Sequence, residues 1–464
     1  MLSYEDNLRV TQTGSSTPAG ELLRSFWQPA ALVEELDDRR PSKPVRLLGE
    51  DLVLFRDDDG EYGLIGRMCA HRGSDLAYGR VEHGGLRCLY HGWLYDRQGS
   101  CLEQPAEPEA SRFHTKIRQP AYPCREQGGI VFAYLGGGDP PPLPDYDCFL
   151  APDEHTFAYK GWWECNWLQG LEGGIDPSHV SFLHRFLVDD DPRDSYGQQF
   201  RDTVEGTDRT LSSLVGEKFR PDIEVERTDY GMRLLATREL DAESIHVRIT
   251  NLVAPNAFVI PFSNTTNIIQ WHVPIDDHNH YWYMLMYDFV DPTDKATLRR
   301  QRQDSSEGPE YRPVRNARNQ WGFDIDEQLS LTYTGMGLDI NVHDQWAVES
   351  MGPVQDRTRE HLGVSDKAVS AYRRMLLSAI DDHAAGKRTT GQVLDADDAA
   401  ALRGPIAVDT VQPIDAWRTT WAAKDAERRG RSPWATPIDA APITTTPHDA
   451  VPTAGGSTDT SGDA

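Results

Sequence analysis

No stretch of this chain approaches the roughly 20 consecutive apolar residues that a membrane-spanning helix needs. Its opening, MLSYEDNLRV, is polar and acidic and does not read as a secretory signal. Positive charge is in short supply: 47 Lys and Arg stand against 73 Asp and Glu, a formal net charge of −26. That balance argues against nucleic acid or an anionic membrane surface as a partner. It reads as a solvated acidic surface, which would repel an acidic electron-carrier protein except at a local basic patch. Cysteine is scarce too, and six in 464 residues are too few for a disulfide scaffold. No G-x-G-x-x-G follows an expected strand, which leaves the chain without a nicotinamide or flavin fingerprint. Together these absences predict a soluble, cytoplasmic protein whose cysteines stay reduced and available to metal.

The length suits two or three domains. Residues 16–36 (STPAGELLRSFWQPAALVEEL) carry an amphipathic helical pattern interrupted at Pro29, so residues 1–40 are expected to be a helical segment packed on the rest. Residues 44–56 alternate and are rich in Val and Leu, DDDG at 57–60 makes a turn, and GIVFAYL at 129–135 is a further strand. Residues 41–140 thus read as a small antiparallel β domain, followed by the linker GGGDPPPLPDY at 136–146. Longer strands between 226 and 290 and a helix over 357–383, with Val369, Tyr372, Met375 and Leu376 at core spacing, place a larger domain over 141–436. The fold class is α+β: the small β domain, then an antiparallel sheet flanked by helices. The tail 437–464, almost without large apolar residues, reads as disordered.

The sharpest motif is Cys69-Ala-His71, sixteen residues, then Cys88-Leu-Tyr-His91. Two Cys and two His suit tetrahedral zinc, or a [2Fe–2S] cluster with both Cys on one iron and both His on the other. Spacing decides between them. Zinc fingers pair Cys with Cys and His with His, whereas here each short unit mixes the two, as in a Rieske cluster. Small or polar residues follow each unit, at Arg72-Gly73 and Gly92-Trp93, so tight loops can aim backbone N–H groups at the sulfurs. Cys101, Cys124, Cys148 and Cys165 lack such partners and read as buried thiols.

A second constellation, Asp176-x-x-His179-x-x-x-x-His184, lies in CNWLQGLEGGIDPSHVSFLH. Asp176 before Pro177 resembles an N-cap, with His179 on the same helical face. His179 and His184 are about 140° apart on a regular helix, so a π-bulge or a break between them is required if both are to face one metal. Two His and one carboxylate make a non-heme Fe(II) oxygenase site. Read alone, the trio is more often a polar helix end; the upstream cluster motif raises the metal reading.

CAHRGSDL…LRCLYHGWLYD together with NWLQGLEGGIDPSHVSFLH resembles the large subunits of Rieske non-heme iron oxygenases, most closely the phthalate and phenoxybenzoate dioxygenase group, over roughly residues 1–385. The resemblance implies a [2Fe–2S] cluster on Cys69, His71, Cys88 and His91, and a mononuclear Fe(II) on His179, His184 and a downstream Asp. Asp344 matches that third ligand; sequence alone does not separate it from Asp339, Glu349 or Asp356. Asp176 matches the family's bridging acid, which would bond His179 in its own chain and His91 of a neighbouring copy in a homotrimer or a hexamer. Some relatives carry Asn where Glu172 stands. The resemblance further implies O2 as co-substrate, electrons from NAD(P)H through a separate reductase, with or without a ferredoxin, and a small aromatic substrate. The expected reaction is ring dioxygenation of an aromatic acid or aryl ether. The alternatives are monooxygenation or O-demethylation on the same scaffold, a pure electron-transfer protein, or a zinc-stabilised binding module. An anionic substrate would want an arginine, and Arg201, Arg209, Arg220, Arg238 and Arg248 are candidates, most of them reading as surface residues.

Overall fold

The structure is a computed structural model that describes residues 1–188, 193 and 195–440. Two short helices, Tyr4–Thr11 and Pro18–Arg24, open the chain. The helical pattern expected over 16–36 stops at Arg24, and Trp27–Leu32 is a strand paired antiparallel with Ile130–Tyr134. Pro29 explains the switch. It has no N–H for a helix ladder, but it is tolerated on an edge strand, where it sits at a register irregularity.

The small domain is built from two four-stranded antiparallel sheets. One joins Ser42–Leu47, Glu50–Arg56, Tyr62–Gly66 and Ala121–Tyr122; the other joins Arg80–Glu82, Gly85–Arg87, Leu94–Asp96 and Cys101–Glu103. Val53, Phe55, Ile65, Leu76, Leu86, Trp93 and Tyr95 share one apolar core with Cys69 and Cys88. Both cysteines therefore sit on the inner side of their loops.

The larger domain is organised by an eight-stranded antiparallel sheet. Thr156–Trp163, His280–Asp288, Thr266–Pro274, Ala257–Pro261, Ser244–Val253, Gly231–Glu239 and Asp222–Thr228 follow in spatial order, and Val408–Pro413 pairs with Ser244–Val253. Helices Trp167–Gly174, Ile340–Glu349 and Lys367–Ala384 cover it. The last begins ten residues later than expected, after Arg357 has turned its side chain into a buried ion cluster. Val369, Tyr372, Met375 and Leu376 are buried on it as the spacing predicts. A single apolar core runs from Leu22, Leu32, Leu54 and Phe132 of the N-terminal part to Trp271 and Leu285 of the large sheet. Lys160 of the sheet, 1% exposed, reinforces this junction by pairing with Glu35 at 2.8 Å, and Glu35 also binds Lys43. Of the expected disordered tail, 441–464 lies outside the described residues, whereas Ile438 and Ala440 pack against the cluster around Trp417 and Trp421. No helix among the described residues is long and apolar enough to cross a membrane.

Helix Trp167–Gly174 approaches the sheet very closely. A Cβ at Gly170 would lie 2.4 Å from His272 Nδ1, and one at Gly174 would lie 1.9 Å from the Phe258 ring. Only glycine allows that separation. Gly174→Ala should therefore overpack the helix–sheet seam and cost about 1–3 kcal/mol, read as a lower urea midpoint at unchanged slope; an unchanged midpoint would mean that the seam yields freely.

Candidate metal centres

The two Cys–His loops are built alike. Cys69 N–H donates to Ser74 O and Gly73 N–H to Cys69 O; Cys88 N–H donates to Trp93 O and Gly92 N–H to Cys88 O. Gly73 (φ 73°) and Gly92 (φ 74°) take the left-handed conformation that these turns require. Backbone N–H groups of Tyr90 and His91 approach the Cys88 sulfur, whose thiol pKa is nevertheless pushed up, chiefly by burial. The Tyr95 hydroxyl lies 3.2 Å from the Cys69 sulfur. The sulfurs point inward, whereas the His71 and His91 rings meet edge to face on the outer side with centroids 4.3 Å apart, His71 stacked on Trp93. Burial and the nearby His71 and Arg72 hold the His91 pKa low. Arg67 holds Asp75 through two nitrogens and so clamps the first loop.

A single zinc would bring its donors to about 3.5 Å of one another, given bonds of roughly 2.1–2.3 Å. Among the described residues, only His179, His184 and Asp344 bring three such ligand atoms within 4.8 Å of one another. The segregation of the four loop residues into inner sulfurs and outer nitrogens fits a two-iron cluster.

The second centre forms where the chain breaks. Helix Trp167–Gly174 ends at Ile175, and only a 3₁₀ turn, His179–Ser181, follows. That break brings His179 Nε2 within 3.2 Å of His184 Nε2. Asp344 reaches in from helix Ile340–Glu349, its Oδ1 3.2 Å from His184 Nε2 and 3.8 Å from His179 Nε2. The competing carboxylates are engaged elsewhere: Asp339 on Arg302, Glu349 on Trp321 and Gln345, Asp356 on Thr358. Burial opposes ionisation of Asp344, yet His184 and His179 hold its pKa below the ordinary carboxylate value. Burial and His184 push the His179 pKa down. His179 donates its Nδ1–H to the Asp176 carbonyl at 2.6 Å, which leaves Nε2 bare. Lone pairs turned on a common point make a donor set that fits a divalent iron.

Asp176 is not the helix cap that its sequence suggested. Its Oδ1 accepts from Ser178 N–H at 2.8 Å in a local turn, its carboxylate stands 3.9 Å from His179 Nδ1, and burial raises its pKa against the pull of His179. The bond to His179 thus runs through the Asp176 main chain.

A cavity opens on this trio. The sheet contributes Ala236, Thr250, Phe258, Ile260, Ile268 and Gln270 to its wall. Of the five arginines named from sequence, Arg248 alone lines it, with its guanidinium bound to Asp409. Arg201, Arg238 and Arg248 are buried rather than on the surface.

The family comparisons agree with this geometry. Residues 26–123 match the Rieske [2Fe-2S] domain, and residues 134–432 match the family described as LigXa C-terminal domain like. The oxygenase subunit of phthalate 4,5-dioxygenase from Pseudomonas putida is 37% identical over 84% of this chain and 89% of its own. The oxygenase subunit of 5,5'-dehydrodivanillate O-demethylase from Sphingobium sp. is 33% identical over 83% of this chain and 82% of its own. The chain belongs to the Rieske non-heme iron oxygenases. A solved structure titled as the reduced complex between oxygenase and ferredoxin in carbazole 1,9a-dioxygenase shares the fold, with a TM-score of 0.53 at 20% identity, over 86% of this chain and 97% of that one. This Rieske oxygenase is a terminal oxygenase subunit that works with a [2Fe–2S] cluster, a mononuclear iron and O2, with electrons supplied by a reductase or ferredoxin.

Three features of this oxygenase were not foreseen. Glu172 does not face the cavity. It is buried and binds Arg357 (2.9 Å) and Arg373 (2.6 Å), while Arg357 also reaches Asn7 of the first helix. Cys124 is only half-buried, whereas Cys101, Cys148 and Cys165 are buried as expected. Gln270, beside the buried pair His272 and His280, carries no motif that would single it out. Glu172→Gln would leave the buried Arg357 without its carboxylate, while Arg373 keeps Glu360, and should destabilise the fold by about 3–5 kcal/mol. Guanidinium titration of both proteins tests this, and a shift under ~1 kcal/mol would show that the arginines find other acceptors.

Proposed function

We propose that Cys69, His71, Cys88 and His91 hold the Rieske cluster in a domain over 41–140, and that His179, His184 and Asp344 hold the iron in a catalytic domain over 141–436. The carrying observation is the convergence of the last three on a largely apolar cavity walled by Phe200, Phe258, Ile260 and Ile268, the kind of lining an aromatic ring packs against. The substrate is an aromatic acid or an aryl ether, and the reaction is hydroxylation of the ring. Bound iron, supplied with electrons from the cluster, would provide the activation of O2.

The chain's own residues do the rest. The Asp176 carbonyl fixes the His179 ring and its tautomer. Phe200, Phe258, Ile260 and Ile268 exclude water around the reacting ring. Asp176, with one carboxylate oxygen engaged by Ser178, offers the other toward a partner copy as the bridging acid. A homotrimer, or a hexamer of two trimers, is supported by the exposed apolar residues that flank the outer histidines, Met68 (49%), Leu89 (63%) and Tyr90 (56%). A separate reductase or a ferredoxin is the electron donor, as the oxygenase–ferredoxin complex of the structural neighbour suggests, and the enzyme works in the cytoplasm.

A second reading, O-demethylation or other monooxygenation, is favoured by one observation. Asp409 already neutralises the Arg248 guanidinium, so the cavity has no spare cation for a carboxylate, which suits a neutral ether. The relative that demethylates dehydrodivanillate points the same way.

The test is to reduce the enzyme anaerobically and add O2 with a panel of aromatic acids and aryl ethers, following cluster reoxidation and product mass. Substrate-dependent reoxidation with two oxygens and two hydrogens added supports ring dioxygenation. One oxygen added, or a methylene lost, supports the second reading. No acceleration by any compound, at full iron and acid-labile sulfide content, would count against both. Asp344→Ala should lose the mononuclear iron and keep the cluster; iron analysis showing full occupancy would move the third ligand elsewhere.

A further inference from the structure

Behind the cavity wall lies a chain of hydrogen bonds whose direction is dictated by chemistry. His280 Nδ1 is 2.7 Å from the Cys165 carbonyl oxygen, His272 Nδ1 is 2.9 Å from His280 Nε2, and Gln270 Nε2 is 3.2 Å from His272 Nε2. Both imidazoles are fully buried, and no carboxylate pairs with either. Burial drives their pKa values down, that of His280 to about 4 and that of His272 well below the ordinary imidazole value, with His280 assisting. Each ring is therefore neutral and carries one N–H.

A carbonyl accepts only, so His280 spends its single proton on Cys165 and its Nε2 is bare. His272 must then donate from Nδ1, which leaves its own Nε2 bare. That bare nitrogen demands a donor, so the side of the Gln270 amide facing it is the NH2 group. The amide orientation, normally ambiguous, is fixed by the Cys165 carbonyl through two histidines. The Gln270 carbonyl oxygen is turned away from His272, and no hydrogen bond to another described side chain or main-chain group is recorded for it. Gln270 lines the cavity, and on the same strand Ile268 faces the same space.

Three of the other polar groups lining the cavity outside the iron trio are engaged within the protein, whereas Thr250 and Asp176 also face it. Arg248 is bound to Asp409, Asn341 Oδ1 accepts from Arg302, and the Tyr196 hydroxyl donates to Met284. We propose that Gln270 presents its carbonyl oxygen to the cavity as a hydrogen-bond acceptor, and that the aromatic substrate carries a neutral donor, such as a phenolic hydroxyl, to meet it. This rests on the aromatic-substrate reading above and narrows it. His272 and His280 are positioning residues: they hold the amide in one orientation and exclude its flipped form, which would set two acceptors against each other. A site built on an unpaired acceptor rejects an analogue that lacks the donor more strongly than an apolar pocket rejects a missing methyl group.

The experiment compares guaiacol with veratrole, which replaces the hydroxyl by a second methoxyl group. Binding to the oxidised holoenzyme is read by quenching of tryptophan fluorescence and by calorimetry. Guaiacol should bind about tenfold tighter, equivalent to ~1.4 kcal/mol. In Gln270→Met, checked for native circular dichroism and iron content, the ratio should fall below about threefold through weaker guaiacol binding. Equal binding of the two probes to the unmodified enzyme would overturn the proposal and leave the aromatic reading intact, as would a preference that survives in folded Gln270→Met. The first comparison needs no variant, so poor folding of Gln270→Met does not remove the test. Failure of both probes to bind at millimolar concentration would defeat the aryl-ether reading, and this inference with it.

Discussion

The catalytic half of the molecule depends on how close helix Trp167–Gly174 lies to the sheet. Glycines at 170 and 174, four apart and so on one face, let the backbone settle onto His272, His280 and Phe258. The helix is held from other directions too. Asn166 caps its start by accepting from Leu168 N–H, and Glu172 ties it to Arg357 and Arg373 from two later segments. With three sides fixed, the chain leaving Gly174 has little choice of direction. It turns at once through Asp176 and Ser178 and delivers His179 and His184 over the sheet. The histidines need no regular helix of their own, because the preceding one sets their origin.

The small domain solves a different problem with similar economy. Two loops of the same hydrogen-bond pattern face each other, each anchored by a left-handed glycine. Sulfurs enter the apolar core and imidazoles stay at the rim. Charge would thereby be separated by depth: the proposed thiolate ligands lie next to backbone N–H donors and the Tyr95 hydroxyl, and the neutral imidazoles meet the outside. The exposed Leu89 and Tyr90 beside His91 continue this logic outward, since an apolar rim around the histidines suits contact with another protein surface.

Much of this was readable from local sequence because the decisive spacings are short. Cys-x-His, Cys-x-x-His and Asp-x-x-His each sit within one turn or loop, and the need for a break between His179 and His184 followed from helix geometry alone. Contacts between distant segments were not readable. Asp344 is brought to the histidines by the packing of a helix 160 positions later, and nothing in its neighbourhood distinguishes it from Asp339, which binds Arg302. The role of Glu172 was hidden for the same reason, since its partners Arg357 and Arg373 lie near the far end of the domain. Trp27–Leu32 was misread because its strand partner, Ile130–Tyr134, is about a hundred residues away, and tertiary pairing overrode a local helical pattern.

The same long-range logic bears on the chemistry of the cavity. An arginine in an oxygenase pocket invites the idea of an anionic substrate, but a side chain's charge is only half of what a ligand meets. Arg248 shares Asp409 with His246, so its charge is answered within the protein before any ligand arrives. A carboxylate entering here would have to displace one already in place, at the cost of leaving the buried Asp409 with His246 alone. A neutral aromatic group faces no such exchange. It meets apolar walls and an amide whose polarity is set from behind by two neutral histidines. The electrostatics of the pocket are thus decided by groups that never touch the ligand.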